Sequence, residues 1–111
     1  MSADTLLGQK VSYQNGVLMI DGHPVAIEGD NGDCCGWADG DYDYFTDGII
    51  TRIDESCVYE EDIAEKLTIT VFHEDARLAA INLSAGSMSG WAYGATSSFI
   101  LGGNVVESIE Y

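Results

Sequence analysis

The sequence predicts a single-domain, mainly β protein, with a compact antiparallel sheet that forms a sandwich or a partly closed barrel and carries one or two short helices. A chain of 111 residues is long enough for one hydrophobic core and too short for two. Short β-branched runs recur along it, separated by turn residues, and it has 13 glycines but only 1 proline. We therefore treat residues 1–111 as one β-rich α+β domain.

Apolar runs mark the expected strands. The first two, residues 17–20 and 25–27, flank Asp21-Gly22, a dipeptide that is favoured in tight hairpin turns. Another hairpin is expected to turn at Glu74-Asp75. The remaining expected strands are residues 49–53, 67–72, 79–83, 98–101 and 104–106.

Two short helical segments are also expected. Residues 60–66 place Glu61 and Glu65 four positions apart, as on one face of a helix. A helix of about two turns is stable only with tertiary packing. A shorter helical turn is expected to begin at Asp33, whose carboxylate can cap it, and to end at Gly36.

Charge is distributed unevenly along the chain, which has 19 acidic and 4 basic side chains and a formal net charge of -15. Most of the acidic residues lie between Glu28 and Asp75, whereas residues 78–106 carry no charge. Unpaired carboxylates are too costly to bury, so the first stretch predicts an acidic face. Such a face repels phosphates and anionic lipids, so we expect no direct binding of nucleic acid or membranes.

Residues 28–45 combine carboxylates with aromatic side chains. The sequence predicts a loop here, and we take this loop as the candidate partner-binding segment. Aromatic side chains supply contact area, and carboxylates complement lysine and arginine. In the alternative reading, Trp37 and Phe45 fill the core and the aspartates are merely solvated. The candidate binding residues are Asp30, Asp33, Trp37, Asp39, Asp41, Tyr42, Asp43, Tyr44 and Asp47.

Three short sequences carry a resemblance to known proteins: Leu7-Gly8-Gln9-Lys10-Val11, Asp33-Cys34-Cys35 and Trp91-Ala92-Tyr93-Gly94. With them the chain resembles, over most of its length, a family of small phage proteins with an Asp-Cys-Cys signature, many from phages of actinobacteria. Gly36 follows the cysteines where similar proteins more often have glutamate. The family has no established activity, so the resemblance implies a phage origin and no mechanism.

The acidic and cysteine residues match no standard metal motif. An EF-hand loop that starts at Asp39 would need glycine and glutamate where the chain has Tyr44 and Ile50. The cysteines also lack the C-x2-C spacing of zinc sites. A nonstandard calcium or magnesium site stays open as an alternative, but we expect no metal and no cofactor.

Catalytic patterns are missing from the sequence as well. Gly86-Ser87-Met88-Ser89-Gly90 differs from the G-x-S-x-G nucleophile elbow, and no glycine loop of the phosphate-binding kind occurs. We therefore expect a protein that is not an enzyme. The N-terminal residues lack the features of a signal peptide, and the 3 cysteines do not resemble a disulfide framework, so we expect a cytoplasmic location in a host cell.

These observations favour a small acidic phage protein that binds a basic surface of a host protein. In this hypothesis it inhibits a nucleic-acid-handling or defence protein in the manner of a DNA mimic. One alternative is a self-assembling or virion-associated protein, in which the uncharged stretch forms an oligomer interface that includes Trp91 and Tyr93. Another is a protein that binds a small ligand or a metal.

Overall fold

The computed structural model describes residues 3–31, 36–60, 64–87 and 94–111. A short 3-10 helix precedes the strands. Its bounds and those of the strands are Ala3–Leu6 for the helix, then β1 Lys10–Gln14, β2 Val17–Ile20, β3 His23–Asp30, β4 Gly36–Tyr44, β5 Gly48–Ile49, β6 Arg52–Glu60, β7 Ala64–His73, β8 Ala76–Ser87, β9 Thr96–Leu101 and β10 Asn104–Glu110.

The strands form two antiparallel sheets around a shared core. One sheet has the order β10-β9-β3-β2-β1-β5 and the other the order β4-β8-β7-β6. Buried side chains of both sheets, such as Val11 and Phe99 in the first and Ile69 and Ile81 in the second, belong to one hydrophobic cluster. Two sheets that bury one face each against a common core form a sandwich. Of the two predicted architectures, the described residues show the sandwich and no closed barrel.

Tight turns join several successive strands. The hairpin predicted at Asp21-Gly22 is confirmed, and both residues have positive φ, 52° and 79°, as a type I′ turn requires. The hairpin predicted at Glu74-Asp75 joins β7 to β8. A further hairpin, between β1 and β2, turns at Asn15-Gly16 with φ of 54° and 80°. Sequence analysis missed it, although Asn-Gly is among the strongest hairpin signals.

The uncharged stretch of the chain supplies an interior strand of each sheet. β8 lies between β4 and β7, and β9 lies between β10 and β3. Ile81, Leu83 and Phe99 are completely or almost completely buried there. Charged side chains are excluded from these buried positions by the cost of desolvation. Trp91 and Tyr93, which the oligomer interface was expected to include, lie outside the described residues.

The prediction of a helix over residues 60–66 is wrong at both ends of that range. Glu60 is the last residue of β6, and β7 begins at Ala64 and continues through Lys66. Pairing of β7 with β6 and β8 outweighs a weak local preference for helix, because two helical turns are not stable alone. Residues 61–63 lie outside the described residues, as does most of the helical turn expected at Asp33, although Gly36 begins β4.

Candidate functional site

The aspartate-rich segment contains a strand where a loop was expected. β4 pairs with β8 along its whole length, from Gly36 to Tyr44, and forms one edge of the four-stranded sheet. Gly40 brings β4 close to β3, since a Cβ added at this position would lie 2.6 Å from Cγ2 of Ile27. A larger residue would push β4 away from the first sheet.

Successive side chains of a strand point to opposite faces, and this divides the candidate binding residues of β4 into two groups. Tyr42 and Tyr44 lie on the inner face, opposite the buried residues Ile81 and Ala79 of β8. The structure therefore does not bring the tyrosines together with the aspartates. The outer face carries the other group: Trp37, Asp39, Asp41 and Asp43.

We call the exposed side chains of Asp39, Asp41 and Asp43 the acidic row. Alternate residues of a strand lie roughly 6.6 Å apart, so the row is about 13 Å long. Nδ2 of Asn82 on β8 donates to Oδ1 of Asp41 at 2.8 Å and makes a longer contact of 3.5 Å with Oδ2 of Asp43. The hydroxyl of Thr68 on β7 donates in turn to Oδ1 of Asn82 at 3.0 Å. Asn82 on β8, held by Thr68 on β7, thus orients two of the three carboxylates of the row.

Side chains also hold the backbone of β4 where no described strand pairs with it. The buried Ser97 hydroxyl donates to the carbonyl oxygen of Asp39 at 2.8 Å, which ties β4 to β9 of the other sheet. The N–H of Ala38 donates to Oδ1 of Asn31 at 3.2 Å, and the N–H of Gly40 donates to Oδ1 of Asp39 at 2.8 Å. These bonds satisfy backbone groups that an edge strand otherwise leaves open.

A shallow cleft of about 180 Å³ lies beside the acidic row on the outer face of the sheet. It is smaller than typical ligand pockets of roughly 300–1,000 Å³, so its size does not favour an enclosed small ligand. Its polar lining includes Asp39, Asp41, Lys66, Thr68, Asn82 and Ser84.

A second group of carboxylates lies on the outer face of the other sheet. Glu28 and Asp30 on β3 and Glu110 on β10 are exposed, and the residues that they pair with on β9 are serine or threonine. β3 runs beside β4, since a Cβ added at Gly29 would lie 3.0 Å from the carbonyl oxygen of Ala38. Asp30, a candidate binding residue, therefore belongs to a separate acidic group on the other side of the β3–β4 corner.

The tyrosines of β4 connect the two sheets. The rings of Tyr13 on β1 and Tyr44 stack with their centroids 4.6 Å apart, and the Tyr42 hydroxyl donates to the carbonyl oxygen of Gly16 at 3.3 Å. The Tyr44 hydroxyl also donates to Oδ1 of Asp47 at 2.7 Å. This hydrogen bond raises the pKa of Tyr44, because it favours the neutral phenol. Tyr42, Tyr44 and Asp47 thus take part in contacts within the molecule.

Trp37 and Phe45, which the alternative interpretation placed in the core, are not fully buried. Phe45 is 45% exposed, and the guanidinium of Arg77 lies 4.7 Å from its ring centroid. Trp37 is half-buried on the outer face, on the same side of β4 as the acidic row. Asp33, the last candidate, lies outside the described residues.

Within the described ranges, no group of three or more histidine, cysteine, aspartate or glutamate residues could hold a metal ion. Cys57 is an exposed free thiol, and partial burial together with a hydrogen bond to Glu65 raises its pKa. Cys34 and Cys35 are not among the described residues. In that part of the chain we also find no helix of the length and apolar character needed to cross a membrane.

Comparison of the chain with protein-family models, with curated proteins and with solved structures finds no match. The fold and the surface define the class of protein: a small β-sandwich whose edge strand presents a row of carboxylates.

Proposed function

We propose that the protein is a noncatalytic binding module that uses the acidic row to dock on a basic surface of another protein. The observation that supports this most is the geometry of Asp39, Asp41 and Asp43, which are exposed at regular spacing on one face of an edge strand. Asn82 orients two of them, so part of the entropic cost of ordering side chains on binding is already met. The net charge of -15 adds long-range attraction to basic partners.

A protein that handles nucleic acid is the partner class that fits this surface. Such proteins have basic grooves that receive a line of phosphates. The acidic row offers a line of negative charges at intervals of roughly 6.6 Å. The strand that carries it pairs with β8 and is tied to β9 of the other sheet. The resemblance to phage proteins makes a host protein in the host cytoplasm the partner that we propose, with inhibition of that protein as the outcome.

The hydrogen bonds among the polar side chains beside the acidic row support a noncatalytic role. Asp41, Asn82 and Thr68 already hydrogen-bond one another, and the cleft that they line is shallow. A catalytic site would instead direct reactive groups into a pocket that excludes water. The small size of this cleft also gives little support to a small ligand bound beside the row.

The test replaces all three aspartates of the row together, with Asp39→Asn, Asp41→Asn and Asp43→Asn. We expect this variant to fold and to lose most of its capture of nucleic-acid-binding proteins from a host lysate at low salt, as measured by quantitative mass spectrometry. The substitution removes the charges and keeps the shape of the side chains. Orientation by Asn82 can persist through amide hydrogen bonds.

The matched control removes three charges at hairpin turns, with Asp21→Asn, Glu74→Gln and Asp75→Asn. This variant has the same net charge as the row variant, and we expect it to keep its captured proteins. Equal loss by both variants would show that net charge alone attracts the partner and would overturn the assignment of the site. If the unmodified protein captures no nucleic-acid-binding protein, the proposed partner class is wrong.

A further inference from the structure

β6 is an open edge of the four-stranded sheet. It is 9 residues long, pairs with β7 on one side and has no partner among the described strands on the other. Its Val58 and Tyr59 are 53% and 64% exposed, the highest values among the large apolar side chains described. A long unpaired strand with exposed apolar side chains is a template for pairing with another strand.

The other sheet edges each have a feature that hinders such pairing. The backbone of β4 is bonded by side chains of Asn31 and Asp39, and β5 is only 2 residues long. β10 contains an irregularity between Val105 and Glu107, where its pairing with β9 shifts. Bulges and very short strands are common ways of protecting an edge. β6 is the long, regular edge that is left, and it is protected only by charged side chains, among them Arg52, Asp54 and the inward-facing Glu55.

We propose that β6 pairs antiparallel with β6 of a second copy of this chain, about a twofold axis at Ser56. In this register Ile53 stands opposite Tyr59 of the second copy. A β-branched residue opposite an aromatic one is an arrangement that stabilises antiparallel sheets. The pair occurs twice, because the axis repeats it.

The geometry of the sandwich is compatible with this pairing. Ile53 and Tyr59 both lie on the inner face of β6, opposite Val71 and Glu65 of β7, so the second copy continues the same sheet. The result is one sheet of eight strands with the acidic rows at its two far edges. Seven strand spacings of about 4.8 Å place the rows at most roughly 34 Å apart, and both remain accessible. The dimer therefore binds a repetitive basic partner with two rows instead of one.

Net charge opposes the association, because each copy carries a formal charge of -15. Salt shortens the range of this repulsion, from about 30 Å at 0.01 M to about 8 Å at 0.15 M. We therefore expect the dimer fraction to rise with salt. Docking of the acidic row on a basic partner has the opposite dependence, so the two proposals can fail independently.

Sedimentation equilibrium of the full chain at low and high salt tests the dimer. Val58→Asp places a carboxylate opposite Asp54 of the second copy, and we expect it to weaken dimerisation at least tenfold. The control is Val105→Asp on β10, an equivalent substitution of a valine that is 47% exposed on an edge of the other sheet. We expect this variant to dimerise as the unmodified protein does. Equal effects of both substitutions, or a monomer at every salt and protein concentration, would overturn the proposal.

A disulfide at the axis tests the register. In a background that carries Cys34→Ser, Cys35→Ser and Cys57→Ser, Ser56→Cys places two thiols opposite each other. Opposite Cα atoms in an antiparallel pair are roughly 4.5–5.5 Å apart, within the range that a disulfide spans. We expect oxidation to give a covalent dimer with Ser56→Cys and none with Ser108→Cys on β10. Similar yields from both variants would exclude the proposed register.

Discussion

Glu55 is a residue at which the acidic composition of the protein lowers the stability of the fold. It lies on the inner face of β6, and partial burial raises the pKa of its carboxyl, with further contributions from the charge of Glu107, a hydrogen bond to Glu107 and the charge of Asp4. A raised pKa in the folded state means that folding disfavours the charged form. The stability contributed by the protonated form is complete below the ordinary pKa of glutamate and is lost as the pH rises through the raised value.

Glu55→Gln should therefore raise the Tm at neutral pH and leave it unchanged well below pH 4.5, the ordinary value for this carboxyl. Because Glu55 is largely exposed, solvent screens the repulsion and we expect a gain of less than about 0.5 kcal/mol. Calorimetry at the two pH values measures it. Glu107→Gln should give a smaller gain, because it removes the contribution of Glu107 but leaves the partial burial of Glu55 and the charge of Asp4. A gain that is equal at both pH values would contradict this explanation.

At the scale of elements, the turn of the β2–β3 hairpin allows the free-energy cost of a left-handed backbone conformation to be measured without a steric clash. Gly22 has φ of 79°, and nothing lies within 4 Å of a Cβ added there. Gly22→Ala should therefore destabilise the protein by about 1 kcal/mol through the backbone alone. Asp21→Asn in the same turn is the control, and we expect it to be neutral or slightly stabilising because Asn-Gly suits a type I′ turn. Urea unfolding measures both, and an alanine variant of full stability would contradict the turn assignment.

The elements that the sequence predicted are those with local signals. Asp21-Gly22 identifies its hairpin without any knowledge of the fold, and Asn15-Gly16 does the same although it was overlooked. β4 was taken for a loop because glycine and aspartate are uncommon in strands. A signal was nevertheless present, since its apolar or small residues alternate strictly with aspartates from Asp39 to Asp43. Pairing with β8 makes this segment a strand in spite of its composition.

The supports of the acidic row could not be predicted because they come from distant parts of the chain. Asn82 is 41 residues from Asp41, and Ser97 is 58 residues from Asp39. Only the strand order places β8 beside β4 and brings β9 beneath it. Local patterns indicate which segments are strands, but the sheet order follows from how all the apolar faces are buried together.

For the molecule as a whole, the uneven charge along the chain becomes a division between inside and outside. β9 and most of β8, which belong to the uncharged stretch, are interior strands of their sheets, and the acidic segments form an edge strand and the outer faces. Carboxylates are thus concentrated where water and basic partners can reach them. This distribution keeps the core free of unpaired charge, and it leaves mutual repulsion across the surface as the main electrostatic cost.

Salt should consequently act on folding and on partner binding in opposite directions. Between about 0.01 M and 0.15 M sodium chloride we expect the Tm to rise, because screening weakens the repulsion among the carboxylates of a chain with net charge -15. Over the same range the association rate with a basic partner should fall at least tenfold, with a smaller change in the dissociation rate, since steering depends on the unscreened field. Thermal melting and surface plasmon resonance measure the two effects on the same protein. Calcium chloride at the same ionic strength as the sodium chloride is the control for specific cation binding. A rise with saturable calcium dependence would show that a bound cation, and not screening, relieves the repulsion, whereas a Tm that does not respond to either salt would show that the carboxylates are too far apart to repel one another.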